Sequence, residues 1–178
     1  MDYLQSIKDT VPFDIVQVIP GTVIGPSPVI TTASEAYANM DRMSRALLFN
    51  DVSPRYAFGF VSREDCAAVH VNALDEEKLP SNDIPKWLIA AAPTSPSDTA
   101  ESIWKSVGDM IEDFKTEIDK GVFTVGRSNL PINMPFRVDS RWTENHVLGQ
   151  EFTGFETCVR DVALWYRDLV ERERISSE

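Results

Sequence analysis

Few residues of this chain have the types and spacing that chemistry near neutral pH requires. There are two histidines, the usual general bases, and each lies in a helical pattern: His70 between Val69 and Val71, and His146 just ahead of Leu148-Gly149. Both read as helix histidines held by local hydrogen bonds rather than as general bases. The chain has no His-x-x-x-His pair, cysteine cluster or Gly-x-Ser-x-Gly elbow, so metal-assisted hydrolysis and serine-triad chemistry lack their parts. Cys66 and Cys158 are the only cysteines, widely separated and each in an apolar helical pattern. They read as buried free thiols of a reducing compartment, not as a disulfide or zinc ligands. The acidic stretches Asp75-Glu-Glu77 and Glu171 to Glu173 read as solvated charge. Trp87, Trp104, Trp142 and Trp165 occupy apolar positions and read as core, with substrate stacking by Trp142 as the lesser alternative. One constellation rises above this background: Pro20-Gly-Thr-Val-Ile-Gly-Pro26, with two glycines and two prolines in seven residues. It follows a buried strand, and ligands of open α/β sheets bind at the C-terminal ends of strands. Its glycines allow close backbone approach to a flat ligand, and its prolines fix the loop; a tight strand exit without a ligand explains the same residues.

The elements that must position this loop follow from patterning. Residues 2–9 resemble the end of a helix that lacks a start signal, with Tyr3, Leu4 and Ile7 on one side and Pro12 beyond it. Phe13 to Ile19 reads as a buried strand rich in β-branched residues. A helix over 35–48, a short strand over 56–61 and a helix over 63–74 come next. This last helix is opened by the capping box Ser62-Arg-Glu-Asp65 and buries Cys66, Ala67, Val71 and Leu74. Trp87 to Ala92 reads as a second buried strand. Ser97 caps a long amphipathic helix to about Lys120, and an extended piece spans Phe136 to Asp139. A short helix from Trp142 to Leu148 closes at Gly149. A second capping box, Thr153-Gly-Phe-Glu156, opens a final helix over 155–174 whose inner face is Phe155, Val159, Val162, Tyr166 and Leu169; the last four residues read as frayed.

The 178 residues carry 17 basic and 28 acidic side chains, a net charge of -11. A field of that sign repels phosphates, which argues against a nucleic-acid partner. The longest apolar stretches fall far short of the roughly 20 residues of a membrane span, and the start of the sequence lacks the basic stub and apolar run of a signal peptide. A cytoplasmic protein is expected. The alternating strands and helices indicate an α/β fold, but only three or four short strands are visible, fewer than a parallel sheet with helices on both faces needs.

Four stretches, in order, carry a resemblance. Phe13-Asp-Ile-Val-Gln-Val-Ile-Pro-Gly-Thr-Val-Ile-Gly-Pro26 resembles the segment Phe-Asp, apolar run, Pro-Gly-x-Val-x-Gly-Pro of extended short-chain dehydrogenases/reductases. Gly59 to Leu74, Trp87 to Ala92 and Val147 to Asp161 resemble the strand-and-helix, the following core strand and the final helix start of the same family. The most similar branch is the NADPH-dependent aldehyde and ketone reductases of fungi, related to dihydroflavonol and cinnamoyl-CoA reductases.

The resemblance implies the C-terminal portion of a Rossmann-type fold: one incomplete domain over 1–178, with 1–30 the last part of the cofactor-binding sheet and 31–178 mostly the substrate-side lobe. It implies NADP as cofactor and a small carbonyl compound as substrate, in fungal secondary metabolism. It places Pro20 and Val23 at the nicotinamide end of the cofactor, Asn39 near a polar cofactor contact at the start of the next helix, and Met40, Met43, Phe136 and Trp142 along a substrate pocket. No metal site is implied. The family's Gly-x-x-Gly-x-x-Gly turn and its Tyr-x-x-x-Lys pair are not in this sequence. The residues four beyond Tyr3, Tyr37, Tyr56 and Tyr166 are Ile7, Asp41, Phe60 and Val170. No catalytic residue can therefore be assigned, and residues 2–10 match the tail of the helix that carries the catalytic pair in relatives. Two readings follow: a carbonyl reductase by lineage, inactive as an isolated chain, or a non-catalytic remnant or binding module that depends on a missing N-terminal half or separate chain.

Overall fold

The computed structural model of the protein describes residues 7, 10–50, 59–80, 85, 87–94, 109, 112–124 and 137–177. The strand run that the sequence begins at Phe13 starts later. β1 is Val18–Pro20 and β2 is Thr22–Ile24, with only Gly21 between them. Phe13 is 63% exposed, so the first half of the expected buried strand is an exposed approach to it. The expected tight loop from Pro20 is corrected as well: Thr22–Ile24 is strand, and Ile24 is fully buried.

This run changes partners at Gly21. β1 pairs in parallel with β4 (Leu88–Ala90), Val18 opposite Leu88, and β2 pairs in parallel with β3 (Phe60–Ser62), Thr22 opposite Phe60. At the junction Gly21 N–H donates to Ala90 C=O (2.9 Å) and Thr22 N–H donates to Gly59 C=O (3.1 Å). Ala92 N–H donates to Phe60 C=O (2.8 Å), so the start of β3 stitches the two pairs together. A Cβ on Gly21 would lie 2.9 Å from Phe60 N and 3.0 Å from Gly59 C, both backbone, so only glycine fits here.

The single helix expected over 35–48 is two. α1 (Ala33–Asn39) is capped by Thr32, whose hydroxyl accepts Glu35 N–H at 3.2 Å. α2 (Arg42–Phe49) is capped by Asp41, whose carboxylate accepts Met43 and Ser44 N–H, each at 2.9 Å. An aspartate that serves as N-cap has non-helical backbone, so Asp41 starts one helix by ending another. α2 closes at Asn50 in the left-handed conformation, φ 54°.

α3 (Arg63–Asn72) begins at the expected Ser62 cap, whose hydroxyl accepts Asp65 N–H at 3.0 Å. Its buried residues are Asp65 and Val69; Ala67 is exposed, Cys66 is half-buried, and Val71 and Leu74 are 66% and 85% exposed, so the expected inner face is wrong. Trp87, expected in the core, is 38% exposed ahead of β4.

Most of the long helix expected from Ser97 lies outside the described residues. Its described end is broken by a turn at Asp113–Phe114, after which α4 spans Lys115–Asp119. α5 (Arg141–Thr143) runs into a π-helical segment, Glu144–Leu148. Gly149, left-handed at φ 77°, closes that turn by donating to Glu144 C=O at 2.8 Å. The final helix, α6, spans Phe155–Ser176, so the expected fraying of its last residues begins later. Thr153 does not cap it; Gly154 occupies that position without a side-chain bond.

Two cores result. One lies between α2, α4 and α6: Met43, Leu47, Leu48, Phe114, Phe123, Phe155, Val159 and Val162 pack with Ile24 at the end of β2. The other lies against β3, β4 and α3, where Val61, Val69, Leu88, Ala90, Val147 and Phe152 meet.

Candidate functional site

The candidate site is the C-terminal end of the β1–β2 run and what packs against it. Pro20 ends β1 and is exposed, and Val23, 42% exposed, stands in the middle of β2. The loop beyond is held to α3: Arg63 donates to Pro26 C=O and pairs with Glu64. Asn39 is the last residue of α1, not at the start of a helix, and its amide donates to the Glu35 carbonyl of its own helix at 2.9 Å. Met40 and Met43 are 8% and 1% exposed, in the same core as Ile24. The end of β2 and the two methionines are thus brought together. Trp142 belongs to the other core, where its ring stacks on His146 with centroids 4.5 Å apart. Phe136 lies outside the described residues.

Both histidines are locally held, as the sequence indicates: Nδ1 of His70 lies 2.7 Å from Cys66 C=O, and Nδ1 of His146 lies 2.9 Å from Trp142 C=O. Both cysteines are free; Cys158 is buried and Cys66 half-buried. Burial first, and then the carboxylates of Asp65, Asp161 and Asp41, push the Cys158 thiol up to about 12. Burial also raises Cys66 and the Tyr166 phenol. These groups are the opposite of activated nucleophiles or proton donors, which need lowered values. Among the described residues, no group of three histidine, cysteine or carboxylate side chains could hold a metal ion.

Sequence reasoning missed a set of polar residues that tie the 137–153 segment to the strands. Ser140 Oγ donates to Ala91 C=O at 2.6 Å, and Val138 N–H donates to Thr94 Oγ1 at 2.8 Å. Asn72 donates to Val147 C=O at 2.9 Å, and the Glu144 carboxylate accepts Phe152 N–H at 2.8 Å. Asp65 is 4% exposed, and its carboxylate accepts Thr153 N–H at 2.7 Å and Gln150 Nε2 at 3.4 Å. The capping-box pattern concealed this: an acid at that position ordinarily reaches back to its own helix start, whereas Asp65 reaches across to the start of α6.

A shallow depression of 430 Å³ lined by Thr31, Arg172, Glu173, Ser176 and Ser177 lies at the end of α6. Its carboxylate is already used, because Glu173 accepts Ala33 N–H at 2.8 Å and closes the start of α1. Pro20 and Val23 offer an exposed surface to a flat ring, but no glycine-rich turn is present for the phosphates.

No family model matches the chain, and no curated protein matches it. Solved structures do. The yeast methylglyoxal/isovaleraldehyde reductase Gre2, complexed with NADPH, superposes with a TM-score of 0.57 at 20% identity, over 96% of this chain and 51% of that one. Gre2 from Candida albicans, also in complex with NADPH, gives 0.57 at 19% identity, over 94% of this chain and 47% of that one. The chain therefore shares an α/β fold of the Rossmann type with these structures and spans about half their length. Among the described residues no helix is long and apolar enough to cross a membrane.

Proposed function

We propose that the chain is the substrate-side part of an NADP(H)-dependent reductase of small aldehydes or ketones, of the extended short-chain dehydrogenase/reductase type. The observation that carries this reading is the likeness of almost the whole chain to structures of such reductases solved with NADPH. In this reading, Pro20 and Val23 border the nicotinamide, Asn39 makes a polar contact near it, and Met40, Met43, Phe136 and Trp142 line the pocket for the carbonyl compound. NADPH supplies the hydride when bound. The residues of this chain orient the ring and exclude water, and they supply no proton donor. The proposed setting is the cytoplasm, in fungal secondary metabolism, with the nucleotide-binding half provided by a further segment or chain.

The test is NADPH oxidation with a branched aldehyde. The 178 residues alone should show none, and turnover should appear when a nucleotide-binding half carrying the glycine-rich turn and the Tyr-x-x-x-Lys pair is supplied. Turnover by the isolated chain, or none in a complex shown to bind NADPH, would sink this proposal. A second reading, a non-catalytic and partner-dependent binding module, is favoured by one specific observation: the sequence holds neither of those two motifs. A complex that binds NADPH and never oxidises it would support that alternative.

A further inference from the structure

Residues 171–177 close α6 and are all exposed, Ile175 at 75%. The turn is held by bonds of the helix to itself. Ser176 Oγ donates to Arg172 C=O at 2.9 Å, Ser177 Oγ to Glu173 C=O at 2.8 Å, and Ser177 N–H to Arg174 C=O at 3.1 Å. Among the described residues one hydrogen bond ties this stretch to another element: Ala33 N–H donates to the Glu173 carboxylate at 2.8 Å. A final turn with so little apolar burial opens at small cost, and local opening concentrates at such ends.

The sequence of this turn, Arg172-Glu-Arg-Ile-Ser-Ser-Glu178, sets arginines three and five residues before Ser177. That spacing suits serine kinases whose carboxylate pockets take a guanidinium at each place, a forked contact that lysine does not reproduce. Of the serines and threonines of the chain, only Ser140 and Ser177 follow an arginine by three residues, and Ser140 has Pro135 where Ser177 has its second arginine. Ser140 is 1% exposed and donates its Oγ to Ala91 C=O at 2.6 Å, so its hydroxyl is engaged inside the fold. Ser177 is on the surface and borders the depression with Thr31, Arg172 and Glu173.

We propose that Ser177 is a phosphorylation site for an arginine-directed serine kinase, and that the phosphoryl group frees the start of α1 from Glu173. Ser177 Oγ bonds to the γ-phosphorus of ATP as the bond from that phosphorus to the bridging oxygen of ADP breaks. The hydroxyl proton passes to the base of the kinase, and ADP leaves. Ser177 lies four residues beyond Glu173, which lies four beyond Leu169, buried with Ala33 and Ala36. All three are on one row of α6, the row whose first two members hold α1. A phosphate there adds about two negative charges beside the Glu173 carboxylate, at the helix end whose dipole is already negative. Both effects oppose reclosing of the turn, and Ala33 N–H loses its acceptor. The proposal does not depend on the reductase reading.

The test incubates the whole chain with ATP and a serine kinase selective for arginine three and five residues before its acceptor, and maps the phosphate by mass spectrometry. Ser177 should be modified. Ser177→Ala should abolish incorporation, Ser176→Ala should leave it unchanged, and Arg172→Ala and Arg174→Ala should each slow it at least about tenfold. In the phosphorylated chain the Ala33 amide should exchange at least about fivefold faster, while Gly21 and Ala92, bonded between strands, keep their rates. Mapping on the unaltered chain decides the site even where a variant does not fold. The proposal is overturned by no incorporation, by phosphate on Ser140 or Ser176 instead, or by equal rates in the folded arginine variants. An Ala33 amide that exchanges no faster once Ser177 is modified would overturn it as well.

Discussion

The two cores of this molecule are built by different means. The helical core is a continuous run of aromatic edges: Phe49 meets Tyr37 and Tyr166 with centroids 5.0 Å apart, and Phe123 meets Phe114 at 5.7 Å. These contacts are broad and forgiving of direction, and they hold α2, α4 and α6 together through apolar area and ring geometry. The strand-side core has fewer buried aromatics, with valines, alanines, Leu79, Leu88 and Phe152, and it is framed by buried polar groups, Asp65, Ser140, Thr143 and Glu144. There the segments are placed by directional bonds and close backbone approach. Among the described residues the helical core lies among helices alone, apart from Ile24, whereas the strand-side core borders β1, which pairs only with β4. The segments beside the strands are positioned by hydrogen bonds, and the helices are positioned by packing.

Substitutions can break that contrast. The largest effect is expected in the helical core: Phe123→Ala, at a side chain 2% exposed, should cost about 4 kcal/mol in urea unfolding through cavity formation. A loss under about 1 kcal/mol would mean that the aromatic network is not what holds these helices. Gly21→Ala comes next, because the new Cβ meets backbone that cannot turn aside, and about 3 kcal/mol is expected. Its loss should be accompanied by faster amide exchange of Thr22 and Ala92, whereas Phe123→Ala should spare those amides.

Asp65→Ala should cost about 2 kcal/mol, because Thr153 N–H and Gln150 lose their acceptor. Asp65→Asn keeps an acceptor and should recover much of that, as read by the unfolding midpoint. If both variants are equally unstable, charge rather than hydrogen bonding is what Asp65 supplies.

The smallest effect sharpens the comparison from the helical side. Burial raises the Asp41 carboxyl above its usual value even though it caps α2. A carboxyl raised on folding contributes stability that is complete below its unfolded value and is lost as pH rises through the folded one. Asp41→Asn keeps the cap without the charge, so it should equal or exceed the parent at pH 7 and lose that advantage below pH about 4. Asp41→Ala should cost about 1 kcal/mol below pH about 4, where the parent's carboxyl is neutral, and less at pH 7.

What the sequence made legible follows from which forces are local. Ser62 as a cap, Gly149 as a helix stop and the inner face of α6 all depend on residues within a turn of one another, and each was readable. The split at Asp41 was not, because the apolar spacing of Met40, Met43 and Leu47 continues unbroken across it and only the aspartate's side-chain bonds reveal the new start. The inner face assigned to α3 failed for a related reason: periodicity identifies Val71 and Leu74 as apolar without showing whether anything lies opposite them. At the candidate site, Pro20 and Val23 have the local composition of a loop, because Pro and Gly dominate it. The strand pairing that orders them comes from Ala90 and Val61, dozens of residues away. The cross-link from Asp65 to Thr153 spans 88 positions, and no local pattern encodes it.

The π-helical segment after Thr143 has a consequence for the ancestry of the chain. A turn closed by Gly149 N–H on Glu144 C=O holds one residue more than an α-helical turn. If such a turn arose by insertion of one residue, the contacts flanking it would be kept. Val147 is buried and Glu144 reaches Phe152, so the wider turn is held at both ends. Relatives with a residue fewer in this segment should therefore show an ordinary helix here and an unchanged phase for the helix that follows.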